Sequence, residues 1–238
     1  DLKIIVRAGA GYDNIDLEAA TKAGVVVMNT PGQNANAVAE LAIGLMIYMA
    51  RNQFNPSTGV EIAGKTLGIQ GFGNVGSLVA AKALALGMKV RAFDPVKSDE
   101  DMLVRGVEPT SSVKTLYADC DYISLNLPLV TVTERSVGYD LLSAMPKGGV
   151  LINTARKEIV DESGLERALE ERSDIKYASD VAPDNYAALR EKFGLRVYAN
   201  SKKMGAQTAE ANLNAGLAAA RQIVDYFETG NVKFQVNK

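Results

Sequence analysis

Lys65-Thr66-Leu67-Gly68-Ile69-Gln70-Gly71-Phe72-Gly73-Asn74-Val75-Gly76 is a short apolar run that enters a glycine-rich turn. The turn opens a helix predicted over 77–86, and a second strand, Lys89-Val90-Arg91-Ala92-Phe93, ends on Asp94. Strand, Gly-x-Gly-x-x-Gly, helix, strand and acid, in that order, form the setting of a dinucleotide-binding turn. Gly71 permits the tight turn, Gly73 has no side chain to hold off a pyrophosphate, and Gly76 lets the helix lie close to the sheet. The free N–H groups and the positive end of the helix then face the pyrophosphate. Asp94 stands 18 residues past Gly76, near the usual spacing of about 20. Its carboxylate can accept from both ribose hydroxyls and would repel a 2′-phosphate, so the pattern favours NAD over NADP. A glycine turn in an unrelated parallel sheet would leave the placing of Asp94 unexplained.

Working outward, apolar runs at 121–126, 149–154, 177–180 and 196–198 alternate with helical stretches at 113–118, 141–145 and 162–171, the last capped by Asp161. This alternation predicts an α/β fold, a Rossmann-type doubly wound parallel sheet with its ligand at the C-terminal ends of the strands. Upstream, a strand over 2–6 leads into the small-residue loop Ala8-Gly9-Ala10-Gly11, a helix and a strand over 25–28. Two strands are too few for an independent domain. A helix runs to about Arg51, capped by Asn34 or Asn36. Its body, Leu41 to Met49, is apolar on every side, so the helix is expected to be buried all round, between domains or subunits. A last helix over 208–229 carries the apolar stripe Leu213, Leu217, Ala220, Val224 and Phe227, and a short polar tail follows.

The balance of 47% hydrophobic and 23% charged residues is that of soluble globular protein. A net charge of −2 without a basic block argues against nucleic acid as a partner. The longest apolar run is too short to span a membrane. The single cysteine, Cys120, excludes an internal disulfide and fits a reducing, cytoplasmic setting; it reads as a packed residue. There is no histidine, hence no imidazole base and no histidine-based metal site. The chain starts without Met on what reads as an interior strand, so an N-terminal part is expected to be lacking.

Residues just past the strands are the candidates for chemistry. Arg156 can hold a carboxylate with both guanidinium arms and polarise a neighbouring carbonyl; the alternative is a surface arginine paired with Glu158 or Asp161. Lys203, by position alone, is an ordinary exposed lysine.

Arg7-Ala8-Gly9-Ala10-Gly11-Tyr12-Asp13-Asn14-Ile15-Asp16, Asn29-Thr30-Pro31-Gly32, the glycine turn, Asn153-Thr154-Ala155-Arg156 and Ile159-Val160-Asp161-Glu162 together resemble the D-isomer-specific 2-hydroxyacid dehydrogenases. The stretch Lys202-Lys203-Met204-Gly205-Ala206-Gln207-Thr208-Ala209-Glu210-Ala211-Asn212 and the short 52–64 loop are similar to the short bacterial form of that family's phosphoglycerate-oxidising branch. The resemblance implies an NAD-binding Rossmann domain over 34–205, including the crossover helix 36–51, inserted into an incomplete, flavodoxin-like substrate-binding domain over 1–33 and 206–238. It implies a homodimer, a small 2-hydroxy acid as substrate, and oxidation of D-3-phosphoglycerate to 3-phosphohydroxypyruvate, the first step of serine synthesis. It also implies that Arg156 is catalytic, that the backbone of Ala8 and Gly9 receives the substrate carboxylate, and that Asn74, Val75, Asp94, Thr154 and Asp180 contact the cofactor.

Two positions depart from the pattern. The family's histidine falls on Lys203, and the glutamate that orients it falls on Asn185 or Asp184. A lysine in that role must have its pKa lowered from about 10.4 to act as a base near neutrality, by burial beside Arg156 and the nicotinamide; in the reductive direction its ammonium is a ready acid. Another D-2-hydroxy acid as substrate, or a catalytically silent NAD-binding regulatory protein, are the alternatives.

Overall fold

A computed structural model describes residues 1–237; Lys238, the last residue assigned above to the substrate domain, lies outside them. The chain divides into two compact units, one of residues 1–37 and 206–238 and the other of residues 38–205. The division falls at 37/38, inside a helix.

In the first unit β1 (Ile4–Arg7) and β2 (Val26–Asn29) pair in parallel, Ile4 opposite Val26. Between them α1 (Leu17–Lys22) starts at Asp16, whose carboxylate accepts from the Ala19 N–H at 2.9 Å. The tail is more than a polar end. Val236 donates to the Val27 carbonyl at 2.9 Å, and the buried Asn237 side chain accepts from Val27 N–H and donates to Val25 O, each at 2.8 Å.

The second unit takes in most of α2 (Ala35–Ala50), then β3 (Thr66–Gln70), α3 (Asn74–Ala85), β4 (Lys89–Phe93), α4 (Asp99–Leu103), β5 (Glu108–Pro109), α5 (Val113–Asp119) and β6 (Tyr122–Leu125). It continues with α6 (Tyr139–Ala144), β7 (Val150–Asn153), α7 (Glu162–Glu171), β8 (Lys176–Ser179), α8 (Tyr186–Phe193) and β9 (Val197–Ala199). Among the described residues these strands form one seven-stranded sheet in the order β5-β4-β3-β6-β7-β8-β9, parallel throughout. The sheet is covered on both faces, and side-chain alternation sorts neighbours between them. Ile152 and Ala178 join the core shared with α2 and α3, whereas Leu151 and Tyr177 join the core shared with α5 and α7. Chain order reverses between β3 and β6, the switch point at which such sheets open a crevice. Among the described residues no helix is long and apolar enough to cross a membrane.

Two helices leave apolar residues open on this chain. On α2, Glu40, Gly44 and Ile47 share a face exposed within the chain, and Glu40 reaches Lys82 at 3.7 Å. Gly44 and Ile47 are apolar by composition yet point to solvent, so the sequence reads as uniformly apolar. In α9 (Ala209–Thr229), which belongs to the first unit, the large stripe is exposed, Leu213 at 62% and Phe227 at 65%, while Ala211, Ala215 and Ala219 are buried. Small side chains let this helix approach its neighbours closely, so the alanine face, not the leucine face, turns inward. Its ends are as expected: Thr208 Oγ1 accepts from Ala211 N–H and Gly230 closes the helix at φ +73°. The helix α8 and the short strand β5 had no local signal strong enough to announce them.

Candidate functional site

The glycine turn lies between β3 and α3, beside the switch point. Gly71 has φ +94°, and a Cβ there would meet the Asn126 carbonyl at 2.7 Å. At Gly76 a Cβ would lie 2.0 Å from the Gly71 carbonyl, so α3 sits against the turn as only glycine allows. A Cβ on Gly73 would meet nothing within 4 Å and would project into open space at the start of α3. Asp94 ends β4 and ties it to the turn. One carboxylate oxygen accepts from Phe72 N–H at 2.7 Å, the other from Val96 at 2.8 Å and Lys97 at 3.3 Å. Asn74 is exposed and Val75 half-buried at the first turn of α3.

Cavities open in this unit. One of about 120 Å³ at the glycine turn is lined by Gly73, Asn74, Ser77, Lys97 and Arg105, with Asp101. A larger one of about 700 Å³ is lined in part by Phe93, Pro95, Val113, Leu127 and Tyr139. The apolar residues at the ends of β4 and β6 escaped the sequence reading; their signal was position, immediately past a strand at the switch point. At the ends of β6 and β7, Asn126 Oδ1 and Thr154 Oγ1 are buried without a hydrogen-bond partner. An open glycine cradle at a helix N-terminus, cationic walls, an apolar slot and unspent polar atoms at the strand ends fit an adenine dinucleotide.

The reactive groups gather after β7, where Ala155, Arg156 and the buried Thr154 form a turn. Asn153 fixes it, accepting from Ala155 N–H at 3.0 Å and donating to Arg156 O at 2.9 Å. Arg156 Nη1 donates to Ala155 O at 3.1 Å. Lys203 Nζ donates to that same oxygen and to Thr154 O at 3.3 Å. Asp180, fully buried at the end of β8, places Oδ2 3.8 Å from the Lys203 ammonium. Its carboxylate also accepts from the N–H groups of Met204 at 2.8 Å and Gly205 at 3.0 Å. The expectation of a buried Lys203 is corrected: its side chain is 39% exposed, and a carboxylate stands next to it. Of the positions matched to the orienting glutamate, Asp184 is engaged elsewhere and Asn185 Oδ1 is buried without a hydrogen-bond partner. Asp184 pairs with Lys157, and the Asp184 and Asn185 amides donate to Glu162. Asp161 pairs with Arg135 at 2.5 Å.

In the first unit Ala8 is exposed and Gly9 buried in the turn after β1. Gly9 has φ +153° and its N–H donates to Arg7 O at 2.9 Å, so that amide is already engaged. Cys120 is packed and fully buried, which pushes its thiol up to about 12.

Comparison with known proteins agrees with this picture. Residues 42–193 match the model of the D-isomer specific 2-hydroxyacid dehydrogenase, NAD binding domain. The chain is 38% identical to the hydroxypyruvate reductase of Thermotoga maritima, over 94% of this chain and 77% of that protein. It is 36% identical to the D-3-phosphoglycerate dehydrogenase of Methanocaldococcus jannaschii, over 93% of this chain. It spans only 45% of that enzyme's length, and 46% of the length of the Rattus norvegicus D-3-phosphoglycerate dehydrogenase. The NAD+-bound 3-phosphoglycerate dehydrogenase of Entamoeba histolytica superposes with a TM-score of 0.92 at 50% identity, covering 99% of this chain and 76% of that one. The chain therefore belongs to the D-isomer specific 2-hydroxyacid dehydrogenase family, and its cofactor is NAD.

Proposed function

We propose that the protein is an NAD-dependent dehydrogenase that oxidises D-3-phosphoglycerate to 3-phosphohydroxypyruvate, the first step of serine synthesis, as a cytoplasmic homodimer. The observation that carries this reading is the convergence of Arg156 and Lys203 on the Ala155 carbonyl, at the strand ends of an NAD-binding sheet. The 50% identity to a 3-phosphoglycerate dehydrogenase supports the substrate.

In this reading residues 34–205 are the NAD-binding domain and the remainder belongs to the substrate-binding domain. Gly71, Gly73, Gly76, Asn74 and Val75 hold the pyrophosphate, with Lys97 and Arg105 as cationic walls. Asp94 takes the ribose, Phe93, Pro95 and Leu127 the adenine, and Thr154 and Asp180 the nicotinamide half. The bound nicotinamide takes up the hydride from C2 of the hydroxy acid. Arg156 grips the carboxylate and polarises the C2 oxygen, and Lys203 exchanges the proton of that oxygen. For Ala8 and Gly9 we propose the carboxylate-receiving role, the Gly9 N–H exchanging its Arg7 partner for the substrate.

A second reading, action on hydroxypyruvate or another D-2-hydroxy acid, is favoured by the 38% identity to a hydroxypyruvate reductase. NADH oxidation by the intact protein with phosphohydroxypyruvate and with hydroxypyruvate separates the two. The first reading expects kcat/KM for the phosphorylated substrate to be higher by on the order of 10²-fold, as suits a site that pairs a charged group. The reverse preference establishes the second. NADH binding without turnover on either compound leaves a regulatory NAD-binding protein.

A further inference from the structure

The absent imidazole–carboxylate pair has a counterpart elsewhere in the site. Asp180 is the fully buried carboxylate at the end of β8, four residues before Asp184 in the chain. Its two oxygens collect the N–H groups of Met204 and Gly205, which fixes the backbone immediately after Lys203. One of those oxygens also faces the Lys203 ammonium at 3.8 Å. The same carboxylate thus places Lys203 through its backbone and attracts it through its charge. The carbonyls of Thr154 and Ala155 accept from the same nitrogen, which only a donor-rich ammonium satisfies fully. Among the described residues, the charged groups on the elements packed against it include Arg156 after β7 and Asp180 after β8, with exposed Lys202 preceding it in the chain. Arg156 opposes the ammonium; the buried carboxylate and two carbonyls favour it.

We infer that Asp180 is a positioning residue that holds Lys203 as a charged ammonium beside Arg156, making Lys203 the proton donor when a 2-oxo acid is reduced. This rests on the dehydrogenase reading above and goes beyond a contact between Asp180 and the cofactor. The reduction balances. Hydride from the reduced nicotinamide forms the C2–H bond, the C2–O π bond breaks, and the oxygen takes a proton from Lys203. The neutral amine left behind recovers its proton from solvent, to which the side chain is open. In the oxidative direction the amine must first lose that proton, so oxidation is expected to rise with pH.

The test is amine acylation of the intact protein with acetic anhydride across pH, read by mass spectrometry at Lys203 with Lys202 as internal reference. Asp180→Asn is expected to lower the Lys203 midpoint by about one unit or more, a roughly tenfold gain in acylation below the midpoint, with Lys202 unmoved. The alkaline limb of the reductive rate should move down by the same amount. An NADH fluorescence titration of the same variant records any lost cofactor contact separately. If rate or NADH affinity falls while the Lys203 midpoint stays, Asp180 is only a cofactor or packing residue and the inference fails. Should the buried variant not fold, the pair is read from the other side. The ¹³C-carboxyl signal of Asp180 must show an alkaline inflection that Lys203→Met removes; an inflection that survives overturns the inference. A midpoint that moves in a protein with no turnover on any 2-oxo acid keeps the pair and defeats the dehydrogenase reading instead.

Discussion

Arg156 and Lys203, 47 positions apart in the chain, donate to one and the same oxygen, the carbonyl of Ala155. Two cations are brought to one point because β7, β8 and β9 lie side by side in the sheet: Arg156 follows β7, Asp180 follows β8 and Lys203 follows β9 at the same edge. The Ala155 and Thr154 carbonyls and the Asp180 carboxylate offset their repulsion. What remains is a place where an anionic oxygen meets a guanidinium and an ammonium together, which is what a 2-oxo or 2-hydroxy acid presents.

The first expectation concerns that pair. Lys203→Ala should lower kcat by about 10²–10⁴-fold, the usual scale for a positioned acid or base, with NADH affinity unchanged. Arg156→Lys keeps the charge and loses the two-armed grip, so it should raise KM for the acid more than it lowers kcat. Steady-state kinetics on the intact protein decide both; an unchanged kcat in Lys203→Ala removes the residue from the chemistry.

The glycines of the turn separate folding from binding. A Cβ on Gly73 meets nothing in the protein, so Gly73→Ala should cost stability no more than about 1 kcal/mol. The methyl would stand where the pyrophosphate approaches, and the overpacking of about 1–3 kcal/mol should weaken NADH binding by roughly ten- to hundredfold. Gly76→Ala drives a Cβ into the Gly71 carbonyl at 2.0 Å, so it should lose about 3 kcal/mol or more of stability. Urea unfolding and NADH titration of both variants check the contrast.

Much of this architecture was legible from residues 65–94 alone, because a glycine turn, a helix and a terminal acid act locally and in sequence order. Asp161 announced its helix for the same reason: a cap bonds three residues ahead. What stayed hidden depends on distant partners. Asn52, Gln53 and Phe54 all have positive φ, near +50° to +59°, in a left-handed turn that no glycine marks. It is held by Gln53 donating to Leu195 and Val197 carbonyls and by Lys176 donating to Asn52. The choice between the leucine and alanine faces of α9 was equally non-local, since periodicity identifies stripes but not which of them finds a partner. The role of Asp180 toward Lys203 depends on two strand ends meeting, so the search near Asp184 and Asn185 looked along the chain and missed it.

Cys120 offers a test of the core between α5 and β6. Burial raises its thiol to about 12 and also raises the hydroxyls of Tyr117 and Tyr122, the latter to about 12. These groups are protonated in the fold and ionise earlier once unfolded. Their contribution to stability is therefore intact below the unfolded values, near 8.5 for the thiol and 10 for the phenols, and is lost as pH rises toward 12. Native protein at pH 8 should resist maleimide, and denatured protein should take one label per chain. Rapid labelling of the native fold would show that this core opens.

The acid limb is set just past the C-terminus of α7. Arg172 grips Asp174 with both arms, Nε to Oδ1 at 2.9 Å and Nη2 to Oδ2 at 2.6 Å, and donates as well to the carbonyls of Ser143, Met145 and Pro146. Asp174 also accepts from Gly148 N–H at 2.7 Å, so one carboxylate and one guanidinium pin the turn between α6 and β7. The Arg172 hydrogen bonds hold the Asp174 carboxyl well below the usual carboxylate range. A carboxylate depressed in the fold stabilises fully above its unfolded value of about 3.9 and loses that contribution as pH falls below it. Asp174→Asn should cost about 1–2 kcal/mol at pH 7 and flatten the decline in stability below pH ~4. Urea unfolding at pH 7 and at pH 3 measures both. An equal loss at the two pH values would mean that the turn depends on the shape of the side chain and not on its charge.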